Sequence, residues 1–304
     1  MARVSGGTIV LFGIVVAAAI IGAPRFAPME AVSYLNRRGN AVFELHVLDW
    51  RRNIDHVLLR YTPVNADYAW LPDGSGVAVY VDPPDPDEDP VLWKVNWFGR
   101  YEVALFEPSI PFPMRFDFSP DGSQIAYIAG IPADNIRLRN LANGEERVLP
   151  LGVNPTSSPV WGEAGIFYTL PGSQIAAELF RLDPVTGDSM RVAVGLRGFS
   201  LTSGTGVIVY ARTVSADALN TSLALLPLPD GTPENLPIDT RQPGAQQALM
   251  LLPVLMPDGR HLVYVGTNDL QSVMLYHVDL ERGQVRMVRE MAGGLPTAML
   301  GIPR

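Results

Sequence analysis

The chain has 304 residues, a net charge of −8 and no cysteine. The acidic balance gives no basic face for a nucleic acid, and the missing thiols exclude disulfides, thiolate metal sites and lipid-modified cysteine. Glycine and proline, 28 and 27 residues, are spread along the chain rather than gathered in one tract, which points to many tight turns and not to a disordered linker.

The first element is apolar. Residues 8–23, TIVLFGIVVAAAIIGA, carry no charge, and with Gly6, Gly7 and Pro24 the uncharged stretch approaches the roughly 20 residues of a spanning helix. The cleavage site of a secretory signal would fall after Ala23, with Pro24 just beyond it and Ile21 at the bulky third position, both poor for processing. Residues 1–28 are therefore read as a short tail and an uncleaved transmembrane signal anchor. They hold the following domain, residues 29–304, on the extracytoplasmic side; the alternative is a secreted protein released after cleavage. Arginines flank the segment on both sides, so charge does not fix its orientation.

From residue 31 onward the chain repeats itself. LPDGSGVAV, SPDGSQIAY and MPDGRHLVY share Pro-Asp-Gly, at 72–74, 120–122 and 257–259, followed by two residues and an apolar run. Proline pre-sets the turn, aspartate bonds locally to the backbone, and glycine takes the left-handed conformation before the next strand. WGEAGIFY and TSGTGVIVY are degenerate copies of the same hairpin. A second series, LHVLDWRRN, LWKVNWFG, IRLRNLANG, LFRLDPVTG, LALLPLPDG and LYHVDLERG, closes at Asn53, Gly99, Gly144, Gly187, Gly231 and Gly283. These six positions lie 46, 45, 43, 44 and 52 residues apart. Each period holds alternating runs, as in MRFDFS, QIAYIAG, NIRLRN and ERVLP between 114 and 150. Four strands in a period of about 40–50 residues make a propeller blade.

The expected fold is thus all-β: six four-stranded blades after one transmembrane helix. Three strands, near 31–35, 42–48 and 55–61, open the domain, and GLPTAMLG at 294–301 is left over. The C-terminal run is expected to pair beside 31–35 and close the ring. The Pro-Asp-Gly turns and the second-series turns then fall on one face, and the loops between second and third strands fall on the other.

The motif carried by Trp70, Pro72, Asp73, Gly74, Val77 and Ala78, and again by Phe118, Pro120, Asp121, Gly122, Ile125, Ala126 and Tyr127, resembles the repeat of TolB-like propellers. A third copy holds Pro257, Asp258, Gly259, Leu262, Val263 and Tyr264. The resemblance covers about 31–304. It implies a bacterial envelope propeller that binds other proteins. Related repeats also occur beside serine peptidases and in some polysaccharide lyases, although these 304 residues leave no room for a hydrolase domain.

Chemistry-bearing motifs are sparse. His46 and His277 fall in matching strands, LHVLD and YHVDL, as a repeat position would, and the chain has no HxH, HxxxH or HExxH. No catalytic residue, metal ligand or cofactor is predicted. The five tryptophans fall in or beside strands and are read as packing between blades. One segment stands out: DPPDPDEDP at 82–90, where Asp82, Asp85, Asp87, Glu88 and Asp89 form an acidic loop. It lacks the spaced ligands of a calcium loop and is the candidate docking site for a basic protein partner. The expected function is a non-enzymatic, membrane-anchored protein-interaction or scaffolding module of the cell envelope. The alternatives are a small-molecule or glycan-binding propeller and a lyase-type enzyme using the channel mouth.

Overall fold

The structure, a computed structural model, describes residues 31–38, 42–61, 63–81, 91–106, 115–128, 133–172, 176–201, 206–213, 221–229, 231–236, 249–267, 272–291, 296 and 298–302. All regular structure among them is β. No helix among the described residues is long and apolar enough to cross a membrane; residues 8–23 lie outside them, as does the acidic loop.

Strands follow one another in hairpins. The first sheet holds β1 (Ala31–Arg38), β2 (Val42–Asp49) and β3 (Ile54–Tyr61). The second is β4 (Pro63–Trp70), β5 (Gly76–Val81), β6 (Val91–Asn96) and β7 (Tyr101–Phe106). The third is β8 (Arg115–Phe118), β9 (Gln124–Ile128), β10 (Asn135–Asn140) and β11 (Glu146–Pro150). A seven-stranded sheet follows: β12 (Val160–Gly162), β13 (Gly165–Pro171), β14 (Ala177–Leu182), β15 (Ser189–Leu201), β16 (Val207–Thr213), β17 (Thr221–Pro227) and β18 (Glu234–Asn235). The last comprises β19 (Leu249–Leu255), β20 (His261–Thr267), β21 (Met274–Asp279) and β22 (Gln284–Glu290). The final strand, β23 (Ala298–Gly301), returns to the first sheet and pairs antiparallel with β1, Val32 opposite Gly301 and Leu35 opposite Ala298.

Local chemistry sets the hairpins. Asp73 Oδ1 accepts the Ser75 N–H at 2.9 Å, and Gly74, at φ 66°, sends its own N–H back to the Leu71 carbonyl. Asp121 and Asp258 repeat the arrangement, with bonds of 3.0 Å to Ser123 and 2.9 Å to Arg260. In the second series an Asx side chain caps the turn: Asp49 takes the N–H groups of Arg51 and Arg52, Asn96 those of Phe98 and Arg100, and Asp183 those of Val185 and Thr186. In both series a side chain of the turn itself thus takes up backbone N–H groups that the ladder leaves free.

The seven-stranded sheet departs from the four-strand period. The sequence reading puts a break between the fourth and fifth periods, whereas β15 runs through it as one thirteen-residue strand. Its first half pairs with β14 and its second half with β16, and the two registers meet at Leu196. A bulge and Gly195, at φ 81°, turn the strand there, so a bend replaces the expected loop.

Strands alternate between two buried faces. Tyr68, Trp70, Val77 and Val79 pack toward the first sheet, while Ala69, Ala78 and Tyr80 pack toward Phe116, Phe118 and Ile125 of the third. Six apolar clusters result. They lie between the first and second sheets, second and third, third and β13–β14, the two halves of the seven-stranded sheet, β16–β17 and the last sheet, and the last sheet and the first. The sheets are thus packed face to face in chain order, with the last against the first.

A polar and aromatic central cavity as the candidate functional site

The innermost strands, β23, β4, β8, β12, the second half of β15 and β19, contact one another in that cyclic order. They surround a cavity of about 760 Å³, to which they contribute Leu300, Trp70, Phe118, Trp161, Phe199 and Leu252. Its size is that of a small-molecule pocket.

Among the described residues four charged side chains line it: Asp67 on β4, Arg115 and Asp117 on β8, and Arg197 on β15. Phe116 and Phe118 point into the cluster toward the second sheet, so the two-residue period of β8 turns Asp117 the other way, toward β12. There Asp117 Oδ2 accepts the Trp161 N–H at 2.8 Å, and Oδ1 accepts that of Phe118 at 2.9 Å. Burial pushes this carboxyl up to about 7, against the pull of the two N–H groups. Asp67 likewise sits above the ordinary carboxylate range because of burial, in spite of the Ser158 hydroxyl, which donates to its Oδ2 at 2.6 Å, and the nearby charge of Arg115. Arg115 Nη1 donates to the Pro155 carbonyl at 3.1 Å. The hydroxyls are engaged as well: Ser157 accepts the Thr169 N–H, Thr156 bonds Thr169, and Ser200 donates to the Pro253 carbonyl. Leu252, on the wall, holds a left-handed φ of 48° within the bulge of β19.

No family model matches the chain, and no curated protein matches it. Solved structures do. TolB from Acinetobacter baumannii superposes with a TM-score of 0.67 at 16% identity, covering 99% of this chain and 74% of the other. A putative TolB from Agrobacterium tumefaciens gives 0.61 at 14% identity, over 88% and 91%. The fold is a TolB-like β-propeller. The fold is shared with chains of other roles: a nidogen/laminin complex gives 0.59 at 12% identity, over 89% and 97%. It therefore carries no activity by itself.

Within the propeller a second cluster of ionisable groups lies where the first and last sheets meet. Asp55 on β3 accepts the Tyr34 hydroxyl at 2.6 Å, contacts His46 Nδ1 at 3.1 Å and pairs with Arg289 of β22 at 2.9 Å. Burial alone would raise Asp55; the hydrogen bonds from His46 and Tyr34 and the charges of His46 and Arg289 outweigh it and hold the carboxyl below its ordinary value. Beside it Trp50 stacks on His277 at 4.1 Å between ring centres. Arg286 Nε donates to His277 Nδ1 at 3.3 Å, which leaves His277 Nε2 to donate to His261 Nδ1 at 3.0 Å. Burial and the charges of His261 and Arg286 lower His277 to about 4.

Among the described residues no three histidine, aspartate or glutamate side chains converge as metal ligands. His46 and His277 occupy matching strands, β2 and β21, in separate hydrogen-bonded networks. Trp70 stacks on Trp97 at 4.8 Å, in keeping with its reading as packing. The five acidic candidates, Asp82, Asp85, Asp87, Glu88 and Asp89, fall outside the described residues, on the link between β5 and β6. Sequence reading missed Asp67, Arg115, Asp117 and Arg197. The available signal was a charged residue between two buried aromatics, as in RFDF.

Proposed function

We propose that the chain is a closed ring of six four-stranded blades, counted with β15 shared between the fourth and fifth and with β23 completing the first. It is held to the outer side of a membrane by residues 8–23 and works as a protein-binding scaffold of the cell envelope. The observation that carries this reading is the inequality of the two rims. One rim carries short turns, eight of them among the described residues capped by their own Asp or Asn side chain. The opposite rim carries the long connections, 82–90 between β5 and β6, 107–114 between β7 and β8, and 236–248 between β18 and β19. Long loops on a rigid frame are where binding resides.

Orientation follows from the register. Ala31 lies opposite Asp49, beside the 50–53 turn, so the chain enters β1 at the turn rim. An anchor ending seven residues earlier puts that rim toward the membrane and the loop rim outward. The acidic loop then steers a basic partner surface, an effect that salt weakens. The test is crosslinking in native membranes followed by neutralisation of the loop (D82N, D85N, D87N, E88Q and D89N). The reading expects crosslinks on the loop rim and association slowed about tenfold at low salt. Crosslinks confined to the turn rim, or an unchanged rate, contradict it.

A further inference from the structure

The contact between the first and last sheets contains a chain of hydrogen bonds with a fixed direction. A guanidinium only donates, and Arg286 Nε on β22 meets His277 Nδ1 at 3.3 Å. His277 Nδ1 is therefore an acceptor, the ring is neutral, and its one proton sits on Nε2. That N–H is donated to His261 Nδ1 at 3.0 Å, so His261 accepts there in turn. A proton added to either Nδ1 sets two N–H groups head to head, against Arg286 or against His277. Across the joint, Trp50 of the first sheet stacks on His277 at 4.1 Å and lies tilted on His261 at 5.3 Å. Trp50 is 2% exposed, and among the described residues its buried indole N–H has no acceptor, so stacking and apolar packing hold it. Arg51 and Arg286 already stand over the same indole, at 5.1 and 5.6 Å, and both repel a further cation on His277. Two carboxylates also face the pair: Asp279, tied to Arg282 at 3.6 Å, and Asp258, whose Oδ2 lies 3.8 Å from His261 Nε2. The Asp55, His46 and Arg289 network holds the neighbouring stretch of the same joint.

We propose that His261 and His277 form an acid-sensitive latch: one proton taken up by the pair breaks its chain of donors, frees Trp50 and loosens the first sheet from the last. Burial and the charges of His261 and Arg286 act in the same direction, holding His277 at about 4, below the ordinary histidine value near 6.5. With the closed-state value lowered, the latch stabilises the joint fully above about 6.5 and loses that contribution as pH falls toward about 4. The latch is separate from the loop rim, so it stands or falls apart from partner binding there.

The experiment follows deuterium exchange of the Trp50 indole N–H in the full chain by NMR, between pH 7 and pH 5. W50F assigns the resonance among the five tryptophans. H277F keeps a ring on Trp50 but takes up no proton, so the ratio of wild-type to H277F rates at each pH cancels the intrinsic chemistry of exchange. For Trp50 that ratio is expected to rise at least about tenfold from pH 7 to pH 5. It should stay level for Trp70, at the joint between the first and second sheets, whose indole donates to Ser33 Oγ at 2.7 Å. R286Q puts an oxygen where the guanidinium offers only N–H groups; that oxygen accepts the added proton and should flatten the rise. Circular dichroism checks that each variant is folded; if H277F is not, R286Q serves as the reference. The proposal is overturned if the Trp50 ratio stays level, if Trp70 rises equally with it, or if R286Q leaves the acid response unchanged.

Discussion

Two joints between neighbouring sheets are built in different ways. Between the two halves of the seven-stranded sheet the chain itself crosses: β15 leaves β14 and joins β16 without a loop, and the Phe167, Leu179, Ile208 and Tyr210 cluster fills the wedge. Between the last sheet and the first the chain crosses only through β23, four residues long, which returns to pair with β1. Side chains add to that joint: the Arg289–Asp55 pair, the Trp50–His277 stack, and Met299 buried against Val32 and Val254. A joint made of continuous backbone can open only by local unfolding. A joint made of side chains and one short strand can open while the blades stay folded. The ring should therefore part at the seam between its ends.

The largest effect expected from this contrast comes from deleting residues 293–304. The deletion removes the β23 ladder and exposes the sites of Met299 and Ile302, which are 4% and 0% exposed. Two such side chains account for about 3–6 kcal/mol, so thermal melting should fall sharply; an unchanged midpoint would deny that β23 supports the ring.

The second effect distinguishes the joints by pH. Asp117, which ties the third sheet to β12 of the seven-stranded sheet, has its folded value raised to about 7. Its contribution is full below the ordinary carboxylate value near 4 and is lost as pH rises through about 7, a change of about 4 kcal/mol by linkage. Asp55 at the seam has the opposite sign, being held below its ordinary value. Its contribution is present above about 4 and is lost as pH falls through its lower folded value. Denaturant melts of wild type and D117N between pH 4 and 7 should converge as pH rises; parallel curves would sink the assignment. Asn cannot accept both N–H groups, so D117N should lie lower at the acidic end.

A third and smaller effect belongs to Arg289→Ala. It strips Asp55 of its partner from the neighbouring sheet and should cost about 2 kcal/mol, most of it disappearing only as pH falls through the lowered folded value of Asp55. A cost that does not fall once the pH has dropped through the folded value of Asp55 would show that packing, and not charge, holds the pair. The smallest effect tests the continuous joint. Gly195 has φ 81° and no atom within 4 Å of an added Cβ, so Gly195→Ala should cost only the left-handed strain, about 1 kcal/mol. A loss as large as that of the deletion would make the two joints alike.

Much of the frame was legible because turn chemistry is local. Asp73, Asp121 and Asp258 bond within three residues of themselves, so their role can be read without a partner. The leftover run at 298–301 could be assigned because β1 opens the domain as a second strand and lacks an inner neighbour. The cavity was not legible. Asp67 and Asp117 occupy positions that in an ordinary amphipathic strand face water, and only the convergence of six inner strands turns them inward. The through-running β15 was hidden for a related reason: Gly195 and Gly198 look like turn residues, yet they sit at a bulge in an unbroken ladder.

The pairing of the two ends can be measured most directly by a disulfide, because the natural chain has no cysteine. Leu35 and Ala298 are register partners across β1 and β23. Leu35→Cys with Ala298→Cys should oxidise within one chain and raise the melting temperature, by as much as about 4 kcal/mol of stability for so long a closed loop. The offset pair, Leu35→Cys with Leu300→Cys, should remain reduced or lower the melting point. Failure of the matched pair to crosslink, or equal crosslinking of the offset pair, would contradict a ring closed by β23.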